Sequence, residues 1–351
     1  MRIAIVNDSA MAAESLRRVV AASQRHQVAW IAEDGAEAVR RCGEDRPDIL
    51  LMDLIMPNMD GVAATREIMS RTPCAIVVVT ASVSGNAAQV FEAMGAGALD
   101  AINTPILEMN GDGEGQAALL HKIDTVAKLI QGPRRPAPGV QPPPPAPPRR
   151  IPAAAGTSHR PPLIAIGAST GGPAALQTIL GRLPPALGAA VVVVQHVDAQ
   201  FAASFAHWLG EQTPLPVRLA EAGDRPRPGE VLVAGREEHL ILTPGGTLDY
   251  TPEPADYAYR PSVNVFFHSL ARHWRAPAIG VLLTGMGRDG GTGLLALREA
   301  GCHTVAQDRE SSAIYGMPKA AADLGAAAEI LALGDIAPAL LKSLQRTLNT
   351  Q

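Results

Sequence analysis

Twelve of the chain's 30 prolines lie between residues 131 and 162, four of them consecutive at 142–145. A stretch so poor in backbone N–H donors can enter neither a helix interior nor a central strand, and its locked φ favours an extended, semi-rigid spacer. The 351 residues are thereby split into two halves, each of a size that builds its own core. The expected boundaries are one domain over 1–125, a helix end and Pro/Arg-rich linker over 126–159, and a second domain over 160–351. Arg134, Arg135, Arg149, Arg150 and Arg160 lie in or beside the spacer and read as a solvated basic run.

Both halves alternate apolar runs with helical patterns. In the first, strands are expected at 3–6, 28–32, 48–52, 75–79 and 98–102. Helices are expected near 10–22, 35–43, 61–70, 86–94 and 117–130. In the second, buried strands are expected at 163–166, 190–195, 230–234 and 279–284. Helices there fall near 173–182, 200–211, 263–273, 291–300 and 317–323, and the Pro/Gly-richer 214–252 reads as short antiparallel strands with turns. This is the pattern of two doubly wound α/β domains with parallel sheets. Right-handed crossovers bring the carboxyl ends of all strands to one edge, where such sheets bind ligands.

Composition removes several functions. A net charge of −4 gives no case for a nucleic-acid partner, and 3% aromatic residues disfavour base-stacking platforms. Three well-separated cysteines (Cys42, Cys74, Cys302) argue against a disulfide framework or a zinc site and fit a reducing compartment. No apolar run reaches the ~20 residues of a membrane span, and the opening MRIAIVNDSA does not read as a signal peptide. A cytoplasmic location without membrane insertion is expected.

Two sites are expected at the two sheet edges. In the first half, Asn7-Asp8 follows the first strand, Asp53 ends the third and Thr80 follows the fourth. Carboxylates with main-chain carbonyls make a hard oxygen site suited to Mg²⁺, beside which Asp53 could attack a phosphoryl group. In the second half, strand 163–166 runs into Gly167-Ala168-Ser169-Thr170-Gly171-Gly172, and Pro173 opens a helix. That places Ser169 on a sharp strand-to-helix turn with G-x-S-x-G spacing, although a phosphate-cradling loop has similar chemistry. His196 follows the neighbouring strand as a candidate base, and Asp289 follows a third strand as the carboxylate that would orient it. Gly285-Met286-Gly287-Arg288-Asp289-Gly290 also satisfies G-x-G-x-x-G, with Asp308 near the dinucleotide spacing, so an NAD-dependent oxidoreductase is the competing reading.

MRIAIVNDSA, LLMDLIMPNMDG, VVVTAS and GAGALD resemble a bacterial response-regulator receiver domain. The resemblance implies that Asp53 is the phosphoacceptor, that Asp8, Asp53 and the Ile55 carbonyl hold Mg²⁺, and that Thr80 is the switch hydroxyl. Two positions depart from that family: Asn7 stands where a second acid is usual, and Thr104 where a lysine is usual. GASTGG, VVQH, RPSVNVFF, LLTGMGRDGGTGL and IYGMPKAA resemble the CheB-type methylesterase catalytic domain. By that resemblance Ser169 is the nucleophile, His196 the base and Asp289 its orienter. Met286 contributes a backbone amide to the oxyanion hole, and Thr170 lines the site. The implied substrates are methylglutamates and glutamines of a methylated chemoreceptor, with a CheA-type histidine kinase as phosphodonor and no cofactor for the hydrolase. Asn7-Asp8 and Thr104-Pro105 further resemble the Wsp-type branch, which serves surface behaviour. An inactive receiver-adaptor module is the alternative of another class.

Overall fold

The computed structural model describes residues 1–83, 85–105, 113–131, 160–255, 257 and 259–348. The part of the expected linker from 132 to 159 lies outside the described residues. The first unit runs β1 (Arg2–Val6), α1 (Ala10–Ala22), β2 (Gln27–Ala32), α2 (Gly35–Glu44), β3 (Ile49–Met52), α3 (Gly61–Arg71), β4 (Ala75–Thr80), α4 (Ala87–Gly95), β5 (Asp100–Asn103) and α5 (Gly113–Gln131). Its sheet has the order β2-β1-β3-β4-β5, all parallel. β3 and β4 are buried at every residue because helices cover both faces, which explains their unbroken apolar sequence. Ser9, Asp34 and Asp60 start α1, α2 and α3 by accepting backbone N–H bonds with their side chains. Order reverses between β1 and β3, so Asp8 and Asp53 follow the two strands that flank the switch point.

The second unit runs β6 (Leu163–Ala168), α6 (Gly172–Leu180), β7 (Ala190–Gln195), α7 (Ala199–Glu211), β8 (Val217–Leu219), β9 (Val231–Val233), β10 (His239–Leu242), β11 (Leu248–Thr251) and α8 (Val263–His273). It continues with β12 (Ala278–Leu282), α9 (Gly291–Glu299), β13 (His303–Gln307), α10 (Met317–Asp323), β14 (Glu329–Leu331) and α11 (Leu333–Leu348). Seven parallel strands form its sheet in the order β14-β13-β12-β6-β7-β9-β8. The strands expected to carry Asp289, Ser169 and His196 are therefore neighbours: β12, β6 and β7.

Segment 214–252 departs from expectation. Only β10 and β11 make an antiparallel hairpin, whereas β8 pairs parallel to β9 and extends the main sheet. β14 and α11 went unread, the first being short and half exposed, the second carrying Pro338 in its interior. That proline cannot donate to the Gly334 carbonyl four residues back, and Arg182 donates to it instead at 2.7 Å.

The units touch through α4. One apolar core runs through both, and Phe91 of α4 lies 5.1 Å from Phe205 and 5.4 Å from Trp208 of α7, ring centre to ring centre. Gly95 of α4 meets α6 so closely that an added Cβ would fall 2.8 Å from the Ala174 Cβ. The helices gripped by α4 are those that follow Ser169 and His196.

Candidate active site

The serine sits on a turn made rigid from three sides. Its N–H donates to the Thr284 carbonyl at 3.1 Å, and its carbonyl accepts from Gly172 N at 2.7 Å and Gln195 Nε2 at 2.9 Å. Gly171 takes φ +76°, a left-handed conformation that a side chain would strain and that lets the chain reverse from β6 into α6. Ser169 is 8% exposed, so the hydroxyl-bearing residue lies at the floor of the edge rather than on open surface. Gly285 presses on it: a Cβ there would fall 2.8 Å from the Ser169 Cβ, which brings the Gly285–Met286 segment alongside the serine. Thr170 is buried, and its carbonyl accepts from Thr284 Oγ1 at 2.9 Å.

His196 is tied to the same turn, its N–H donating to the Ala168 carbonyl at 3.0 Å. Its Nε2 lies 2.8 Å from Asp289 Oδ2. An ionised carboxylate only accepts, so Nε2 carries the proton and Nδ1 keeps a free lone pair. That Nδ1 is buried and has no hydrogen bond among the described residues. Such an imidazole can take a proton from a neighbouring hydroxyl at Nδ1 while Asp289 steadies the cation.

Asp289 is held by more than the histidine. Ser262 Oγ donates to Oδ1 at 2.8 Å, Asn264 N to Oδ1 at 3.0 Å and Val263 N to Oδ2 at 2.7 Å. The carboxylate thus occupies the amino end of α8, where unpaired N–H groups favour a negative charge. Burial works to raise its pKa, but the His196 bond and charge, then the Asn264 and Val263 amides, outweigh it and hold the carboxyl below its usual range. RPSVNVFF was legible as a motif, yet its task of receiving Asp289 was not, because it lies far from Asp289 in sequence. Tyr259, stacked on His196 at 4.3 Å with 6° between ring planes, also escaped sequence reasoning. The dinucleotide reading loses its acidic residue here, since Asp308 bonds the Ser311 N–H and hydroxyl.

The edge of the first sheet is built differently. Asp53 is the first residue after β3; Asn7 Nδ2 donates to its Oδ2 at 2.9 Å and Leu54 N to its Oδ1 at 2.7 Å. Burial raises its pKa, the Leu54 and Ile55 amides oppose this, and the Asp8 charge adds to the rise. Asn7 is a neutral amide and cannot serve as a further acid, and its Oδ1 accepts from Ser9 N at 2.9 Å. Asp8 and Ile55 are exposed beside this carboxylate. Two carboxylates and a carbonyl form a hard oxygen set that fits Mg²⁺, and a cation there would relieve the crowding of Asp53 by Asp8. Among the described residues no three His, Cys, Asp or Glu side chains cluster as a metal site. Thr80 ends β4 rather than following it, and its buried hydroxyl accepts from Asn86 Nδ2 at 3.0 Å. Thr104 donates its N–H to the Thr80 carbonyl at 2.8 Å and brings no cation.

A half-buried ion cluster joins the two units. Lys122 of α5 donates to Asp100 at 2.7 Å and to Asp198 at 3.5 Å. Asp198 is the residue that starts α7, two positions after His196. Burial opposes the Lys122 charge, but Asp100 and then Asp198 hold its pKa above the ordinary value.

Comparison with known proteins divides the chain as its sheets do. The response regulator receiver domain matches residues 3–110, and the CheB methylesterase family matches residues 164–340. The Cupriavidus metallidurans protein-glutamate methylesterase/protein-glutamine glutaminase 2 is 57% identical over 341 residues, covering 97% of this chain and 98% of its own. The Pseudomonas aeruginosa protein-glutamate methylesterase/protein-glutamine glutaminase 3 is 54% identical over 341 residues, with the same coverage of 97% and 98%. Among solved structures, the Thermotoga maritima CheB methylesterase catalytic domain is 33% identical, covers 51% of this chain and 97% of its own, and has a TM-score of 0.49.

Proposed function

This chain belongs to the CheB methylesterase family, and from that premise we propose that it is a protein-glutamate methylesterase and protein-glutamine glutaminase in which Ser169, His196 and Asp289 act as nucleophile, base and orienter. Ser169 Oγ attacks the side-chain carbonyl of a receptor methylglutamate while its proton passes to His196 Nδ1. Collapse of the tetrahedral intermediate breaks the C–O bond, and the same proton leaves with methanol. Water then attacks the acyl-serine through the same base and releases glutamate. A glutamine side chain follows the same route with ammonia as the leaving group. The Met286 amide supports the oxyanion, and Thr170 lines the approach. The observation that carries this reading is the buried, unbonded His196 Nδ1 at the serine turn, with Nε2 fixed on Asp289. Methanol release from a methylated chemoreceptor, compared between the parent and Ser169→Ala, tests it. Equal rates would end it.

The proposed domain boundaries are 1–125, 126–159 and 160–351. The receiver takes a phosphoryl group on Asp53 from a histidine kinase, with Mg²⁺ held by Asp8, Asp53 and the Ile55 carbonyl. The ion supplies charge compensation at the phosphoryl oxygens. Before phosphorylation, α4 and the Lys122–Asp198 bond keep the receiver over the helices behind Ser169 and His196. Thr80 is the switch: drawn to a phosphoryl oxygen, its hydroxyl leaves Asn86, the residue that precedes α4, and the Phe91 contact with α7 loosens. The cytoplasm is the place of action, and no described helix is long and apolar enough to cross a membrane.

A further inference from the structure

Tyr259 precedes the segment that receives Asp289, and its ring lies flat on the His196 imidazole. Its hydroxyl is buried and makes no hydrogen bond among the described residues. It reaches the loop of Met286: a Cβ built on Gly287, at φ +84°, would stand 2.7 Å from Tyr259 Oη. Any side chain at 287 would therefore displace the tyrosine as well as strain the loop. Burial, then the Asp289 charge, pushes the phenol up to about 12, so it stays neutral through the working range. A neutral ring face beside an imidazole attracts the protonated form more than the neutral one. The hydroxyl is shut off from solvent and has no hydrogen-bond partner among the described residues.

Resting on the reading that His196 is the base, we infer that Tyr259 is a positioning residue for the reaction. Its ring fixes the plane of the imidazole so that Nδ1 stays directed at the serine turn, and its face stabilises the imidazolium that forms in each proton transfer. The hydroxyl is dispensable. Among the described residues the His196 ring makes one hydrogen bond, at Nε2 to Asp289, while its backbone is tied to Ala168 and to Gln195 Nε2, and none of these prevents the ring from rotating about the Nε2 contact. The stack removes that freedom.

Other charged groups lie around the imidazole. Asp289 faces Nε2. Asp198 lies two residues along, with Lys122 of α5 bonded to it. His268 of α8 senses Asp289 and is held low by burial and Arg272. None of these is changed by substitution at 259, so a shift in the acid limb of the rate profile reports the stack.

The experiment uses the full chain, methanol release from a methylated chemoreceptor in membranes, and pH profiles of kcat and kcat/KM for Tyr259→Phe and Tyr259→Leu. Tyr259→Leu should lower kcat about tenfold with little change in KM and move the acid limb down by about half a pH unit. Tyr259→Phe should rescue most of that rate and the parent limb, with a melting temperature at or above the parent's, because a buried unpaired hydroxyl has been removed. A Leu variant with the parent's kcat and acid limb would overturn the inference. So would a Phe variant as impaired as Leu, which would assign the role to the hydroxyl. His196→Gln is run alongside: parent-like activity there would sink the reading of His196 as base, whereas a dead His196→Gln with a parent-like Tyr259→Leu sinks only the present inference.

Discussion

Asp289 and Asp53 both lie beyond the carboxyl end of a strand of a parallel sheet, Asp53 directly after β3 and Asp289 in the loop between β12 and α9, yet the protein treats them in opposite ways. Asp289 receives four donors, from His196, Ser262, Val263 and Asn264, and its pKa is held low although burial opposes this. Asp53 receives Asn7 and Leu54, faces the Asp8 charge, and is pushed up. The first carboxylate is complete within the fold. The second would be stabilised as an anion by a cation from outside. On the proposed reading, the difference separates a carboxylate whose partners the fold itself supplies from one that is conditional on metal and phosphoryl group.

The largest effects should come from breaking the assembled edge. Ser169→Ala should lower methanol release about 10³-fold or more with an unchanged melting temperature, because it removes the nucleophile and leaves the turn's backbone bonds in place. Asp289→Asn should cost about 10²–10⁴-fold in kcat, since an amide does not enforce the Nε2–H tautomer. It also puts an NH₂ against one set of the α8 donors, so it should melt several degrees lower, unlike Ser169→Ala. Thermal scans beside the kinetics separate the two behaviours, and an Asp289→Asn protein as stable and active as the parent would erase the contrast between the two aspartates.

The pH dependence has opposite sign at the two edges. A carboxyl held below its unfolded pKa of about 3.9 stabilises the fold above that pH, and the contribution is lost as pH falls through its folded value; Asp289 behaves so. Asp53, held above it, favours the fold most at low pH, and that advantage is lost as pH rises through its folded value, so at neutral pH its charge weakens the receiver. Millimolar Mg²⁺ at pH 7 should therefore raise the receiver's melting temperature by about a few degrees, and Asp53→Asn should abolish the increment. An equal Mg²⁺ shift in Asp53→Asn would move the ion elsewhere.

Much of this could be read before the fold was known. The strand ends carrying Ser169, His196 and Asp53 were legible because buried parallel strands are continuous apolar runs with abrupt ends. The partners of those residues were not. Ser262 and Asn264 meet Asp289 through the amino end of a helix that sequence places 25 to 27 residues away, and Tyr259 meets His196 across 63 positions. Hydrophobic periodicity reports which face is buried and is silent on which loops converge. The α4 contact was invisible for the same reason: Phe91 reads as an ordinary core residue of its own domain, and only the structure shows its ring against α7.

Smaller effects belong to the coupling between the units and to the receiver's own departures. Lys122→Met removes the ammonium from between Asp100 and Asp198, and basal methanol release should rise about fivefold while the fully phosphorylated rate stays near the parent's. An unchanged basal rate would take Lys122 out of the mask. Asn7→Asp should lower the Mg²⁺ needed for labelled phosphoryl transfer to Asp53, since it adds a carboxylate beside Asp8, and identical Mg²⁺ titrations would refute the charge argument. Thr104→Lys, the smallest change, should alter the activation ratio more than the extent of phosphorylation, measured by esterase assay and phosphoryl uptake on the same samples.

The central claim is that the catalytic edge stands ready and the receiver alone withholds it. Methanol release from one methylated chemoreceptor preparation tests this in four proteins, with and without a small-molecule phosphodonor and Mg²⁺: the full chain, Asp53→Asn, Ser169→Ala, and a fragment beginning at Arg160. The full chain should rise on phosphorylation towards the fragment's constant rate, Asp53→Asn should stay at the unphosphorylated level, and Ser169→Ala should release none. A full chain that already matches the fragment without phosphodonor, or an Asp53→Asn protein that responds like the parent, would contradict the account.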